Sequence, residues 1–385
     1  MIFLGLASNY QFKDILKHSF ALGRKKDYKT FERELAARYS ASLENVSLIY
    51  SGRSAISVAL KSFILSGKVE KGDFVGVNAF TCFAVVEAVK AAGLNPLYLD
   101  LEKTETGKIL PNYSAKTLEK ALKKTPRLKI FILQNTFGET VPLDDFKKLK
   151  EKYDLLCLED LAHCAGRFYS LASGEKQEVG TFGDAVCLSF GKGKAIDTIL
   201  GGAVVLRNPE LSLEKVLKKS WLLKTPVSDS LRAAAYPLLG AIARGLSHLR
   251  LEKFWLGLCL KLKWIERSAD TKLRETHTVS TWQASLALKQ FKALKPSPLR
   301  EYLLVRDKEE VLSRLKSDGF RLEESWYETP ISPARYYPSL GFPEEECKNA
   351  VFFAAHVLNL PTWYRDKKHL KELKNLKQIL KDYEL

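Results

Sequence analysis

Short apolar runs recur along the chain at residues 74–77, 97–99, 130–133, 155–158, 185–188 and 203–206. Each is too brief for a helix and is bounded by Gly, Asp, Asn or other polar residues, which is the punctuation expected of strands. Between them, segments 55–65, 83–92, 115–123 and 143–153 carry apolar residues at helical spacing, the last opened by Pro142 and Asp144. Strands alternating with helices predict an α/β fold, with a largely parallel sheet covered by helices on both faces.

After Asn208 the pattern changes. Residues 211–267 read as helical, basic and apolar, with Lys215, Lys224, Arg232, Lys253 and Lys263 interleaved with Trp221, Trp255, Trp264 and many leucines. Such a stretch suits helices that lie in a membrane interface, pack between two copies of a protein, or cover a binding site. Its apolar run near Tyr236 is shorter than the ~20 residues a membrane span needs. The break at Lys295-Pro296-Ser297-Pro298 then predicts a hinge. It divides the chain into a large domain over 1–294, with 211–267 as an insert, and a smaller domain over 295–385 that ends in a Lys-studded amphipathic helix at 367–381.

Composition narrows the classes. Of 385 residues 46% are hydrophobic, which allows a large core and argues against global disorder. The net charge of +16 predicts attraction to anions of many kinds, but no aromatic-basic motif or helix-turn-helix pattern accompanies it, so nucleic acid is not an expected partner. Six cysteines without CxxC spacing, with Cys157 and Cys187 inside strand-like runs, predict buried free thiols and no metal site. The opening stretch has no basic leader and meets Asn9 and Asp14 early, which predicts a cytoplasmic protein.

The candidate chemistry lies in Ser189-Phe190-Gly191-Lys192-Gly193-Lys194, running on to Gly201-Gly202, where a lysine sits in a Gly-flanked loop between two strand-like runs. Upstream, Glu159-Asp160-Leu161-Ala162-His163 closes another such run with carboxylates. A pyridoxal-phosphate enzyme requires that pair. The lysine holds the cofactor aldehyde as a Schiff base, and the aspartate keeps the pyridine nitrogen protonated so that the ring acts as an electron sink. Ser51-Gly52-Arg53-Ser54 precedes an Ala/Leu-rich helix, whose N-terminal N–H groups would suit a phosphate. Taken singly, each feature has a plain reading: a solvated loop lysine, a helix cap, a surface histidine, a turn hydroxyl.

In order and spacing the segments together resemble the DegT/DnrJ/StrS-type sugar aminotransferases, a pyridoxal-phosphate family of fold type I, from Thr30 to Pro361. The resemblance implies a mostly parallel, seven-stranded-type sheet sandwiched by helices, plus a smaller α+β C-terminal domain. It implies pyridoxal 5'-phosphate as cofactor, glutamate as amino donor, a nucleotide- or lipid-linked keto-sugar as acceptor, and a homodimer. By the same resemblance Lys194 would carry the cofactor and shuttle a proton, Asp160 would pair with the pyridinium nitrogen, and His163 would hydrogen-bond the phenolic oxygen. Ser189, Gly52, Arg53 and Ser54 would hold the phosphate. Lys192 competes with Lys194 for the Schiff base, and the family's count from Ser-Phe selects Lys194, leaving Lys192 to the phosphate's charge. A lysine at that position argues against the dehydratase branch, which bears histidine there.

The chain also departs from the family. Cys82, in Phe80-Thr81-Cys82-Phe83, stands where an aromatic residue usually stacks on the cofactor ring, so Phe83 or Phe80 would stack from a shifted register, or the ring would pack on the thiol. Thr276 stands where the family commonly has an Asn that reaches the neighbouring subunit's phosphate. Tyr327, Arg335 and Tyr364 are candidate substrate contacts, with aromatic packing as the plainer role. Two functional readings follow: an aminotransferase, possessing a peripheral membrane contact if 211–267 meets lipid, or a non-transaminating relative that binds the cofactor as a membrane-peripheral or regulatory protein.

Overall fold

In a computed structural model, which describes residues 2–4, 23–218, 221–246, 249, 251–267, 270–322, 327–362 and 367–385, seven strands assemble into one sheet. They are β1 (Val46–Ile49), β2 (Phe74–Asn78), β3 (Asn95–Leu99), β4 (Leu128–Leu133), β5 (Leu156–Asp160), β6 (Ala185–Ser189) and β7 (Gly202–Leu206), in the spatial order β1-β7-β6-β5-β4-β2-β3. Neighbours run parallel except at β7, which is antiparallel to β6 and β1.

Six of these strands coincide with the apolar runs. The seventh, β1, escaped the pattern because Val-Ser-Leu-Ile is interrupted by Ser47 and followed at once by Tyr50-Ser51, so nothing in the local sequence marks its end. Strand β5 reaches Asp160, two residues beyond its apolar run.

The runs are apolar throughout because both sheet faces are covered. Side chains alternate across a strand. In β4, Phe131 and Leu133 face the core shared with α1 (Lys25–Arg38), while Ile130 and Ile132 face the core shared with α2 (Gly52–Leu65) and α3 (Phe83–Ala91). Helices α4 (Ala115–Lys124) and α5 (Asp144–Lys152) join the first layer through Leu118, Leu122, Phe146 and Leu149. Each fully buried Leu, Ile or Phe stabilises by about 1.5–3 kcal/mol.

Beyond the sheet, 211–267 contributes α6 (Val227–Leu246) and α7 (Glu252–Lys261), and α8 (Thr281–Lys292) returns to the first layer. The C-terminal part has strands β8 (Arg300–Leu304) and β9 (Val357–Pro361), paired antiparallel, with α9 (Lys308–Ser317), α10 (Lys348–His356) and α11 (Lys367–Leu380). Val311, Leu315, Leu358, Leu360, Leu376 and Leu380 form its own core. Ile2–Leu4 pairs in parallel with Phe320–Leu322, so the start of the chain joins this C-terminal part.

The topology gathers several strand ends at one edge. Ser189 at the end of β6 pairs with Gly202 at the start of the antiparallel β7, and Gly202 pairs in turn with Ile49 at the end of β1. Asp160 ends the adjacent β5. Ligands of open α/β sheets bind at this carboxyl edge.

Candidate active site

A cavity of about 520 Å³ lies at that edge, lined by Ser51, Gly52, Arg53, Cys82, Gln134, Asp160, His163, Ser189, Lys192, Lys194, Tyr327 and Arg335 among others. Nine of the twelve site residues named from sequence thus meet in one space: Gly52, Arg53, Asp160, His163, Ser189, Lys192, Lys194, Tyr327 and Arg335. Ser54 and Phe83 are not among the lining residues, and Tyr364 lies outside the described residues.

Ser51 caps α2, its Oγ accepting the N–H of Ser54 at 3.2 Å. Helix geometry supplies no acceptor within α2 for the N–H groups of its first turn, which leaves an end suited to an anion. Gly52 brings this end against β6: a Cβ there would lie 2.7 Å from the Ser189 Cβ. Ser54 is not among the lining residues; its hydroxyl sits 2.9 Å from the Ser51 Oγ and accepts the N–H of Arg274 at 3.0 Å. Arg53 lines the cavity, yet its guanidinium is ion-paired with Glu87 of α3.

Asp160 is buried, with its Oδ1 accepting the N–H of Ala162 at 3.0 Å. Burial raises its pKa above the ordinary carboxylate value, opposed by that hydrogen bond and by the charge of Lys194. Burial also lowers the pKa of Lys194, opposed by Cys82 and Asp160. An amine that sheds its proton more readily is a better nucleophile. His163 is buried too, and its pKa falls well below the ordinary value because desolvation disfavours the charged ring. Its Nδ1 accepts the N–H of Phe137 at 3.2 Å, which puts the proton of the neutral ring on Nε2 as a donor.

The structure places the three candidates for packing on the ring differently. Phe83 opens α3 and stacks on Tyr336, with centroids 4.1 Å apart and planes 11° from parallel. Phe80 is fully buried between Tyr327, Phe137 and Phe353. Cys82 is the residue of this segment that reaches the cavity. Tyr327 packs on Phe80 at 4.7 Å and on His163 at 6.1 Å, combining packing with exposure to the cavity. Arg335 is ion-paired with Asp270. Lys192 lies over the Tyr236 ring at 5.1 Å, a contact to the insert that sequence did not suggest.

The insert itself walls the cavity. Tyr236 of α6, Leu256 and Leu260 of α7, and then Ile265, Glu266 and Arg267 line it, so among the uses left open by sequence, covering the site is the one observed.

Three further residues escaped sequence reading. Asp197 accepts the N–H groups of Gly193 at 2.8 Å and Ile199 at 3.0 Å, bracing the loop that carries Lys194. Gln134 lines the cavity while its amide is hydrogen-bonded to Thr81 and Thr136. Arg300 of β8 contributes positive charge at Lys194, His163 and Asp197. Only the position of Asp197, beside Lys194 in the loop, was a signal available in the sequence.

The residues present fit pyridoxal phosphate. Gly52 lets the start of α2 approach Ser189 more closely than any side chain would allow. The helix end, the hydroxyls and Lys192 suit a phosphate, the buried Asp160 carboxylate suits a protonated ring nitrogen, and Lys194 suits an aldehyde.

Comparison with known proteins agrees with this geometry. UDP-N-acetyl-3-dehydro-alpha-D-glucosamine 3-aminotransferase of Acidithiobacillus ferrooxidans is 31% identical over 162 residues, covering 42% of this chain and 40% of that protein. UDP-4-amino-4,6-dideoxy-N-acetyl-beta-L-altrosamine transaminase of Campylobacter jejuni is 26% identical over 356 residues, covering 91% and 89%. The first curated relatives are spanned by this chain over 45%, 40% and 39% of their length. In fold, Helicobacter pylori PseC superposes with a TM-score of 0.67 over 99% of both chains at 18% identity. The sequence model of the DegT/DnrJ/EryC1/StrS aminotransferases matches residues 7–221, which include the helix-end loop, the Asp160 strand and the Lys194 loop. With more than half of the chain matched and the fold shared, this protein belongs to the DegT/DnrJ/EryC1/StrS aminotransferase family.

Proposed function

We propose that the chain is a pyridoxal-phosphate-dependent aminotransferase that moves an amino group from glutamate to a nucleotide- or lipid-linked keto-sugar, acting as a homodimer in the cytoplasm with a peripheral membrane contact through 211–267. The observation that carries the reading is the meeting of Lys194 with the buried Asp160 in one cavity at the carboxyl edge of the sheet. The curated relatives bearing UDP-sugar names support the acceptor class. The separate apolar core of the C-terminal part supports a division into 1–294 and 295–385, with Ile2–Leu4 added to the latter.

When bound, the cofactor supplies an electron sink for the bonds of the substrate's reacting carbon. The chain's own groups do the rest. The α2 end and Ser189 bind the phosphate. Asp160 holds the proton on the ring nitrogen, and the donor Nε2–H of His163 orients the ring through its oxygen. The Lys194 amine would hold the cofactor through its aldehyde carbon and would accept and return a proton at the substrate carbon. Tyr327 and the helices α6 and α7 exclude water from that space.

The test is spectroscopic. Adding glutamate to the cofactor-loaded protein should replace the aldehyde-form absorbance with that of the amine form, and a keto-sugar acceptor should restore it. A loaded protein whose spectrum ignores glutamate and every other amino acid would remove the aminotransferase reading.

A further inference from the structure

Helix α6 turns Val227, Leu231, Leu238 and Ile242 to water, with exposures between 39% and 74%. At about 100° per residue these positions fall within an arc of roughly 60° on one face. The opposite face buries Asp229, Ala233, Pro237 and Ala243. Thus α6 is already packed on its inner side, and its outer apolar stripe is additional to the core. Helix α7 is joined to it by the Trp255 indole N–H, donated to the Leu239 carbonyl at 3.1 Å. It has the same two-sided character: Leu256 and Leu260 line the cavity, while Leu251 and Phe254 are exposed at 46% and 72%. Leu262 and Trp264, just past its end, are exposed as well. Single exposed apolar residues are ordinary, but a set on one helical pair marks an interaction surface.

Charge identifies what the surface fits. Lys224, Lys253, Lys261, Lys263 and Arg267 are exposed on the same segment. Of its four acidic residues, Asp229 and Glu252 are buried, leaving only Glu214 and Glu266 at the surface. Two copies meeting through this face would bring like charges together, whereas anionic headgroups complement it. Among the described residues no helix is long and apolar enough to cross a membrane, so the fitting geometry is a helical pair lying in the interface.

We propose that the outer face of α6 and α7 docks on an anionic membrane surface, with Leu231, Ile242 and Phe254 entering the headgroup boundary and the lysines engaging lipid phosphates. Because α7 also walls the cavity, docking sets the site at the membrane, and its acceptor is drawn from that surface; this consequence rests on the amino-transfer reading above.

The experiment is co-sedimentation of the full-length, cofactor-loaded protein with vesicles of phosphatidylcholine alone or mixed with phosphatidylglycerol, at low and physiological salt. Binding to the mixed vesicles, weakened by salt, is expected. Removing Lys253 or Lys263 with alanine should weaken it about fivefold each. The double variant Leu231→Glu/Phe254→Glu should abolish it while keeping the glutamate-induced spectral change that shows an intact fold. Failure of the wild type to bind mixed vesicles at low salt overturns the proposal, as does undiminished binding by the double variant. A double variant that instead dissociates a dimer of a protein indifferent to vesicles assigns the face to a second copy and also overturns it. Vesicle binding by a protein that ignores glutamate would keep the docking and defeat the amino-transfer reading, so the two failures are distinguishable.

Discussion

Desolvation shifts Asp160, which is buried, and Lys194, which is partly so, towards their neutral forms, and their mutual attraction opposes that shift only in part. A protonated ring nitrogen would supply Asp160 with the cation its burial demands. Replacing Asp160→Asn should therefore slow the glutamate half-reaction by about 10- to 100-fold, the worth of a charge-assisted hydrogen bond, as read in stopped-flow spectra. Asp197 makes a different prediction. Burial pushes its pKa up from 3.8 to about 7, so the folded state holds a proton that the unfolded chain releases. The stability this neutral form contributes is fully present below pH 3.8 and is lost as pH rises through about 7. Thermal melts from pH 5 to 8 should show the wild type losing stability relative to Asp197→Asn as pH rises; parallel curves would contradict the assignment. Lys194 and Asp160 could be read from sequence because a motif fixes their type and spacing. For Asp197 the sequence offered only its position beside Lys194, since its bonds to the Gly193 and Ile199 N–H groups arise only when the loop has folded. Nor could the partner of Phe83 be read: Tyr336, distant in the chain, stacks on its ring.

Helix α8 shows how an element without a reacting group serves the site. The Gln283 amide donates to the Leu200 carbonyl at 2.7 Å, and Gln290 both accepts the Asp197 N–H at 2.6 Å and donates to the Asp197 carbonyl at 2.8 Å. The Lys194 loop is thereby tied to a helix whose Ala284, Ala287 and Phe291 are packed in the core. Gln290→Leu would strand two backbone groups, and a loss of about 1–3 kcal/mol is expected in urea denaturation. A second element-scale prediction concerns the junction of β1, β6 and β7. A Cβ on Gly202 would stand 2.7 Å from the Leu188 carbonyl oxygen and from the Ser51 carbonyl carbon, so Gly202→Ala must push backbone apart. It should cost about 1–3 kcal/mol in the same assay and weaken cofactor binding, because the shifted Ser51 begins α2. Sequence could not show that the glutamines of α8 face the loop. The apolar runs revealed six strands because sheet burial on both faces leaves a strong local signature; β1, short and interrupted by a serine, has no such signature.

At the scale of the molecule, one cavity depends on segments from nearly the whole chain: strand ends and α2 from the sheet, Tyr327 and Arg335 from the C-terminal part, and α6 with α7 from the insert. Its role as a shared binding centre means that cofactor should stabilise all of it. Saturation at 100 times the dissociation constant adds about 2.7 kcal/mol, visible as a raised melting temperature. The insert was the least legible part, since its basic and apolar composition fitted three uses; only the fold shows it walling the cavity, while its outer stripe remains turned to water. Purified protein should be loaded with pyridoxal phosphate, reduced with borohydride and mapped by peptide mass spectrometry. A covalent adduct is expected on Lys194 and missing from Lys194→Ala; an adduct on Lys192 instead, or none on the loaded wild type, would rule out Lys194 as the cofactor's attachment point.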